Sequence, residues 1–236
     1  MIGTNGLTAN GTTFNAGDNL NGGAGTDTVA VSISGTHTGS NLTTSSIVLA
    51  GIEKILVANY ETSAFNDIID LGAVTGATTV GTSNSSATGD TLFQTIANVV
   101  DTEMVGGADV SVTYATSLLT GTTDSVNLAV KGAGTSSAGA VFETYAVATT
   151  GVAETLNIAS GTASNYLLID NDNDHKTIVI TGNKNLTLAG QAGLTTALDT
   201  TVTKIDASAF TGALETILGV SCWKYVDSCR IWCFYA

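Results

Sequence analysis

Apolar and polar residues alternate along this chain in short runs. Val29, Val31 and Ile33 form one such run, Val110, Val112 and Tyr114 a second, and Val126, Leu128 and Val130 a third. Leu156 with Ile158, Ile178 with Ile180, and Leu186 with Leu188 keep the same beat, and Gly, Asn, Ser or Thr bound each run. A period of two over a few residues, closed by turn formers, predicts short strands with one buried face. Helical spacing shows only near 91 to 100, where Leu92, Ile96 and Val99 or Val100 fit one face of a helix as well as they fit a strand. The predicted fold class is therefore all-β in the main, with few short helices.

A looser repeat overlies this beat. Glu53-Lys54-Ile55-Leu56-Val57, Glu143-Thr144-Tyr145-Ala146-Val147, Glu154-Thr155-Leu156-Asn157-Ile158 and Glu215-Thr216-Ile217 each read as a strand opened by a glutamate. Recurring strand-turn units predict short strands stacked as a β-solenoid or a β-sandwich-like array, in which neighbours bury each other's apolar faces. The competing explanation is chance recurrence in a chain rich in Thr, Val and Leu.

Composition narrows the function. The 236 residues hold no proline and three cysteines, and seven Lys+Arg stand against twenty Asp+Glu, for a net charge of -13. Neutralising phosphates takes clustered Lys and Arg, so no nucleic-acid partner is expected. A polybasic membrane contact is disfavoured for the same reason. With 43% hydrophobic residues and many β-branched ones, the chain is predicted to fold rather than stay disordered. No apolar run approaches the roughly 18 residues of a membrane helix, so no membrane span is expected. The opening MIGTNGLTAN has neither the basic nor the apolar region of a secretory signal. Export is then expected by another route, or the chain is a piece of a longer exported one.

One segment carries recognisable metal chemistry. Gly22-Gly23-Ala24-Gly25-Thr26-Asp27-Thr28-Val29-Ala30 fits the calcium-binding nonapeptide G-G-x-G-x-D-x-U-x at every fixed position. Its glycines permit a turn with inward carbonyls, its aspartate adds an anionic oxygen, and its apolar residue anchors a short strand; calcium prefers such all-oxygen surroundings. One period earlier, Asp18 and Leu20 stand where Asp27 and Val29 stand, without the glycine pair. Asp18, Gly23, Gly25 and Asp27 are thus the favoured calcium ligands, against the plainer reading of a Gly-rich β-turn with a solvated aspartate. Asp170, Asp172 and Asp174 offer three carboxylates at alternate positions. That stretch lacks the glycine and glutamate of an EF-hand loop, and an acidic solvated turn before a strand at 177–181 competes with calcium binding there. Asp90, Asp109 and Asp124, each in a Gly/Thr-rich turn, pose the same choice more weakly.

Catalysis finds little support, and no catalytic residue is predicted. His37 and His175 lie in neither a G-x-S-x-G elbow nor an H-E-x-x-H helix. A β-helical lyase would want basic residues beside calcium-binding aspartates, and only Lys131 and Lys204 are remotely placed.

Several phrases together carry a resemblance: GTTFNAGDNLNGGAGTDTVAV, LAGIEKILVANY, VAETLNIASGT, TIVITGNKNLTLAG and TVTKIDASAFTGAL. In that order, over about residues 11–214, they look like the RTX-type surface-layer proteins of Gram-negative bacteria, the group that includes the Caulobacter and Campylobacter lattice proteins. The resemblance implies a structural protein exported by type I secretion to the bacterial cell surface, where copies assemble into a calcium-dependent two-dimensional lattice. The implied partners are lattice neighbours of its own kind, and cell-surface polysaccharide held through parts of such proteins that have no counterpart here. The long C-terminal nonapeptide array, the secretion signal and an anchoring domain are also without counterpart, so the expectation is an internal segment. An RTX-like secreted adhesin or extracellular matrix module, binding glycans or surfaces, is the alternative function.

Two regions are expected: a surface-layer-like β-rich segment at 1–218, and an atypical tail at 219–236. The tail, GVSCWKYVDSCRIWCFYA, holds all three cysteines, both tryptophans and the only arginine. A frameshifted or foreign sequence, a disulfide or lipid anchor, and a metal site at Cys222, Cys229 and Cys233 are its three readings, the first favoured by the abrupt change of composition.

Overall fold

The computed structural model describes residues 2–6, 18–35, 48–61, 67–86, 88–115, 118–146, 152–170 and 175–218. His37, Asp172, Asp174 and the tail at 219–236 lie outside the described residues. The strands in chain order are β1 (Ile2–Gly6), β2 (Asn19–Asn21), β3 (Thr28–Gly35), β4 (Val48–Ala50), β5 (Lys54–Glu61), β6 (Asp67–Asp70), β7 (Thr79–Thr82), β8 (Thr91–Ile96) and β9 (Asp101–Met104). They continue with β10 (Val110–Tyr114), β11 (Ser125–Lys131), β12 (Ala140–Ala146), β13 (Thr155–Gly161), β14 (Asn165–Ile169), β15 (Thr177–Gly182), β16 (Leu186–Gly190), β17 (Lys204–Phe210) and β18 (Leu214–Thr216).

These strands wind into a β-solenoid. One sheet collects every odd strand in the order β1-β3-β5-β7-β9-β11-β13-β15-β17, and a second runs β18-β16-β14-β12-β10-β8-β6. Neighbours within each sheet are parallel, as required when each strand pairs with its counterpart one turn on. A third, short face is formed by β2 and β4, extended by a bridge from Ala50 to Thr75. Successive turns differ in length: Thr28 pairs with Lys54, 26 residues on, whereas Thr155 pairs with Thr177, 22 residues on. The corners absorb those differences and the strands stay in register.

Register turns the alternating pattern into continuous stacks. Val29, Ile55, Val80, Thr102, Leu128, Ile158 and Ile180 form one inward column across seven turns of the first sheet. Facing it from the second sheet are Phe93, Val110, Val112, Tyr114, Phe142, Leu167 and Leu188, all but fully buried. Each turn alone would leave this face wet, so a rung is stable only between its neighbours. The strands expected around Val29, Val110, Val126, Leu156, Ile178 and Leu186 are all present with those residues inside.

The helix considered near 91–100 is instead strand β8, and among the described residues there is no helix at all. Thr91 and Phe93 point inward with period two; the pairing with β10 then slips between Phe93 and Ile96, and Thr95 takes a left-handed φ of 63°. That bulge returns Ile96 to the core three residues after Phe93, and Val100 follows four later, which mimics helical spacing. The glutamate repeat holds in part: Glu53 and Glu154 directly precede β5 and β13, but Glu143 and Glu215 lie inside β12 and β18. Among the described residues no helix is long and apolar enough to cross a membrane.

Two buried asparagines brace the corners between the large sheets. Asn59, at the end of β5, donates from Nδ2 to Asp67 Oδ2 (2.7 Å) and to the Asp90 carbonyl (3.1 Å), while its own N–H donates to Ser85 Oγ (2.9 Å). Asn165, opening β14, accepts at Oδ1 from the Gly132 and Ala133 N–H groups (2.7 and 2.9 Å) and donates from Nδ2 to Ser160 Oγ (2.8 Å). Corner backbone that has left the sheet ladders is thereby satisfied.

Candidate functional site

The nonapeptide folds as a turn between two faces of the solenoid. Gly22 to Asp27 connect β2 to β3, and Val29 is buried, anchoring the loop in the core. Gly23 and Gly25 take φ of +87° and +127°, the region that glycine enters without cost. Gly22 is glycine for another reason: a Cβ there would sit 2.1 Å from the Gly51 carbonyl oxygen and 2.7 Å from Asp27 Cβ. The loop therefore rests directly on the corresponding loop of the next turn.

Asp18 and Asp27 occupy equivalent places ahead of successive strands, β2 and β3, but these strands belong to different sheets. The nine-residue period thus follows the chain around the turn and does not stack the two aspartates. What lies over Asp27 is Glu53, whose Oε2 accepts a 2.7 Å hydrogen bond from the Asp27 N–H. The Asp27 carbonyl in turn accepts from the Glu53 and Lys54 N–H groups (3.2 and 3.1 Å). Asn21 Oδ1 closes the turn by accepting from the Gly23 N–H (3.0 Å). Asp27 Oδ2 is buried and has no hydrogen-bond partner. Asp18 is half-buried, and its carbonyl accepts from the Val48 N–H (2.9 Å).

The donors at this loop fit calcium in kind. A carboxylate oxygen without a partner, a second carboxylate from the next turn, and the carbonyls of a glycine turn are all hard oxygen ligands. Among the described residues no group of three His, Cys, Asp or Glu side chains converges as a metal cluster. An ion here would therefore rest on Asp27 and Glu53, with the remaining ligands from backbone. Glu53 was legible in the sequence only as a strand opener.

The same carboxylate device appears farther along. Glu154 Oε2 accepts from the Asp124 N–H (2.9 Å), and Asp124 Oδ2 accepts from the Gly121 N–H (2.6 Å). Here Lys176 stands 3.7 Å from Glu154, so part of the negative charge is answered by the protein itself. Asp170 is buried after β14, and its N–H donates to the Phe142 carbonyl (3.3 Å). His175 is fully buried, with Nδ1 hydrogen-bonded to the Ala153 carbonyl.

Asp90 and Asp109 share the corner that leads into the second sheet. The Asp90 carbonyl accepts from the Asp67 N–H (2.9 Å), the Asp109 carbonyl from the Thr91 N–H (3.0 Å), and Asp109 Oδ1 from the Val141 N–H (2.7 Å). Burial pushes the Asp90 carboxyl above its usual range. Burial, opposed by the Val141 N–H and reinforced by the charge of Asp90, pushes Asp109 up to about 6.

On the outer face of the first sheet, Glu103 pairs with Lys54 (2.8 Å) and Lys131 (3.0 Å). Partial burial would raise the Glu103 carboxyl, but hydrogen bonds and charge from the two lysines outweigh it and hold it below its usual range. Lys54 reaches across β7 at Gly81, where any Cβ would meet the Glu103 carbonyl at 2.1 Å. Lys204 pairs with Asp206 at 3.2 Å. Lys131 and Lys204, the two bases weighed for lyase chemistry, are thus both engaged by acids. Beside Glu103 an amide ladder runs from Asn157 Nδ2 to Asn127 Oδ1 (2.9 Å) and from Asn127 Nδ2 to Asp101 Oδ1 (2.8 Å). Comparison with family models, curated proteins and solved structures finds no match to the chain.

Proposed function

We propose that the chain is a structural segment of a calcium-dependent bacterial surface layer, presented outside the cell and self-assembling into a two-dimensional lattice. The observation that carries this reading is the pairing of Asp27 with Glu53 on successive turns of a solenoid, at a glycine turn with a buried, unpartnered carboxylate oxygen. The resemblance to RTX-type surface-layer proteins, which this loop carries together with four other phrases of the chain, also supports it. Calcium at this loop would tie two turns together and cancel like charge, so its binding free energy would add to folding. With a net charge of -13, copies without the cation repel one another, which makes association cation-gated.

Sedimentation velocity with millimolar calcium, magnesium or a chelator tests the proposal. Large assemblies in calcium alone, lost in Asp27→Asn, are the expected outcome. Monomers that calcium stabilises but does not assemble, and that bind glycans, would replace this reading with a secreted adhesin module. A chain indifferent to calcium in both assembly and stability would contradict both.

A further inference from the structure

Asp90 and Asp109 hold equivalent positions on successive turns, because Thr91 pairs with Val110 and each aspartate immediately precedes its strand. Neighbouring parallel strands lie about 4.8 Å apart, so two carboxyl groups at one register position of a corner are forced close together. Both are half-buried, and among the described residues no basic side chain pairs with either. The titratable groups on the elements packed around this corner are acidic as well: Glu61 ending β5, Asp67 opening β6, and Glu143 on β12, which accepts from Ser111 Oγ (2.6 Å). Asp109 Oδ1 also clips the corner to the following turn through the Val141 N–H.

We propose that the Asp90–Asp109 corner is an acid-responsive clasp, which tightens when Asp109 takes up a proton and loosens when both carboxylates are charged. A neutral Asp109 keeps a carbonyl oxygen for the Val141 N–H and loses the repulsion from Asp90. Its charged form suffers both that repulsion and incomplete hydration. The elevated Asp109 value, about 6, agrees with this geometry. The sign follows by linkage: the folded chain holds this proton more tightly than the unfolded one, so stability rises as pH falls through 6 and levels off near the unfolded value of about 4. The clasp is distinct from the calcium loop, and its test is run without calcium.

Urea unfolding of the full chain in chelator, between pH 7.5 and 4.5, is the experiment. The wild-type midpoint should rise on acidification, with the folding equilibrium gaining about 25-fold by pH 4.5 from this group. Asp109→Asn should flatten that rise; an unchanged slope would overturn the proposal. Should that variant not fold, carboxyl carbon NMR of the wild type decides. One aspartate titrating near pH 6, moving lower in Asp90→Asn, supports the clasp, and aspartates that all titrate below about 4.5 refute it.

Discussion

Asp27 is the residue on which the calcium reading turns, since it places one carboxylate oxygen in a buried position with nothing to bond. Asp27→Asn preserves shape and removes charge. Its melting temperature should become the same with calcium and with chelator, whereas the wild type should melt higher in calcium. Gly22 answers to sterics alone. Gly22→Ala drives a methyl against the Gly51 carbonyl and should cost about 2 kcal/mol or more in urea denaturation, with or without calcium. Thr162 offers the opposite case: a β-branched residue held at a φ of 67° in the exposed turn after β13. Thr162→Asn should stabilise by roughly 0.5 to 1 kcal/mol, because Asn tolerates that conformation better.

At the scale of elements, the strands were legible because one-sided burial imprints a period of two, and β3, β10, β11, β13, β15 and β16 lie where that period places them. The stretch of β8 fits a helix as well as a strand from sequence because a bulge at Thr95 inserts one residue, so the inward residues Phe93, Ile96 and Val100 fall at spacings of three and four. No single-strand pattern reports a slip that exists only against a partner. The corner asparagines were invisible for a related reason: Asn59 and Asn165 sit among polar turn formers, and only three-dimensional pairing separates a buried amide from a solvated one. The calcium motif was read from its own nine residues, but Glu53 enters through stacking 26 positions away. Asn165→Leu would orphan the Gly132 and Ala133 N–H groups in a buried corner. A loss of about 3 kcal/mol is expected, measured by denaturant unfolding, with early hydrogen exchange at those two amides.

At the scale of the whole molecule, the solenoid is quasi-one-dimensional, and each turn depends on its neighbours. On the two proposals, calcium at the Asp27–Glu53 loop would act between β3 and β5, and protonation of Asp109 beside Asp90 would act between β8 and β10, so the two inputs would strengthen different segments of one stack. If copies assemble as proposed, the excess of carboxylates would make assembly the step most sensitive to cations. Negative-stain electron microscopy of the purified chain, thiols kept reduced, in millimolar calcium and in chelator, tests that claim most directly. Ordered sheets in calcium that disperse in chelator are predicted; dispersed particles in both conditions would contradict the surface-layer account.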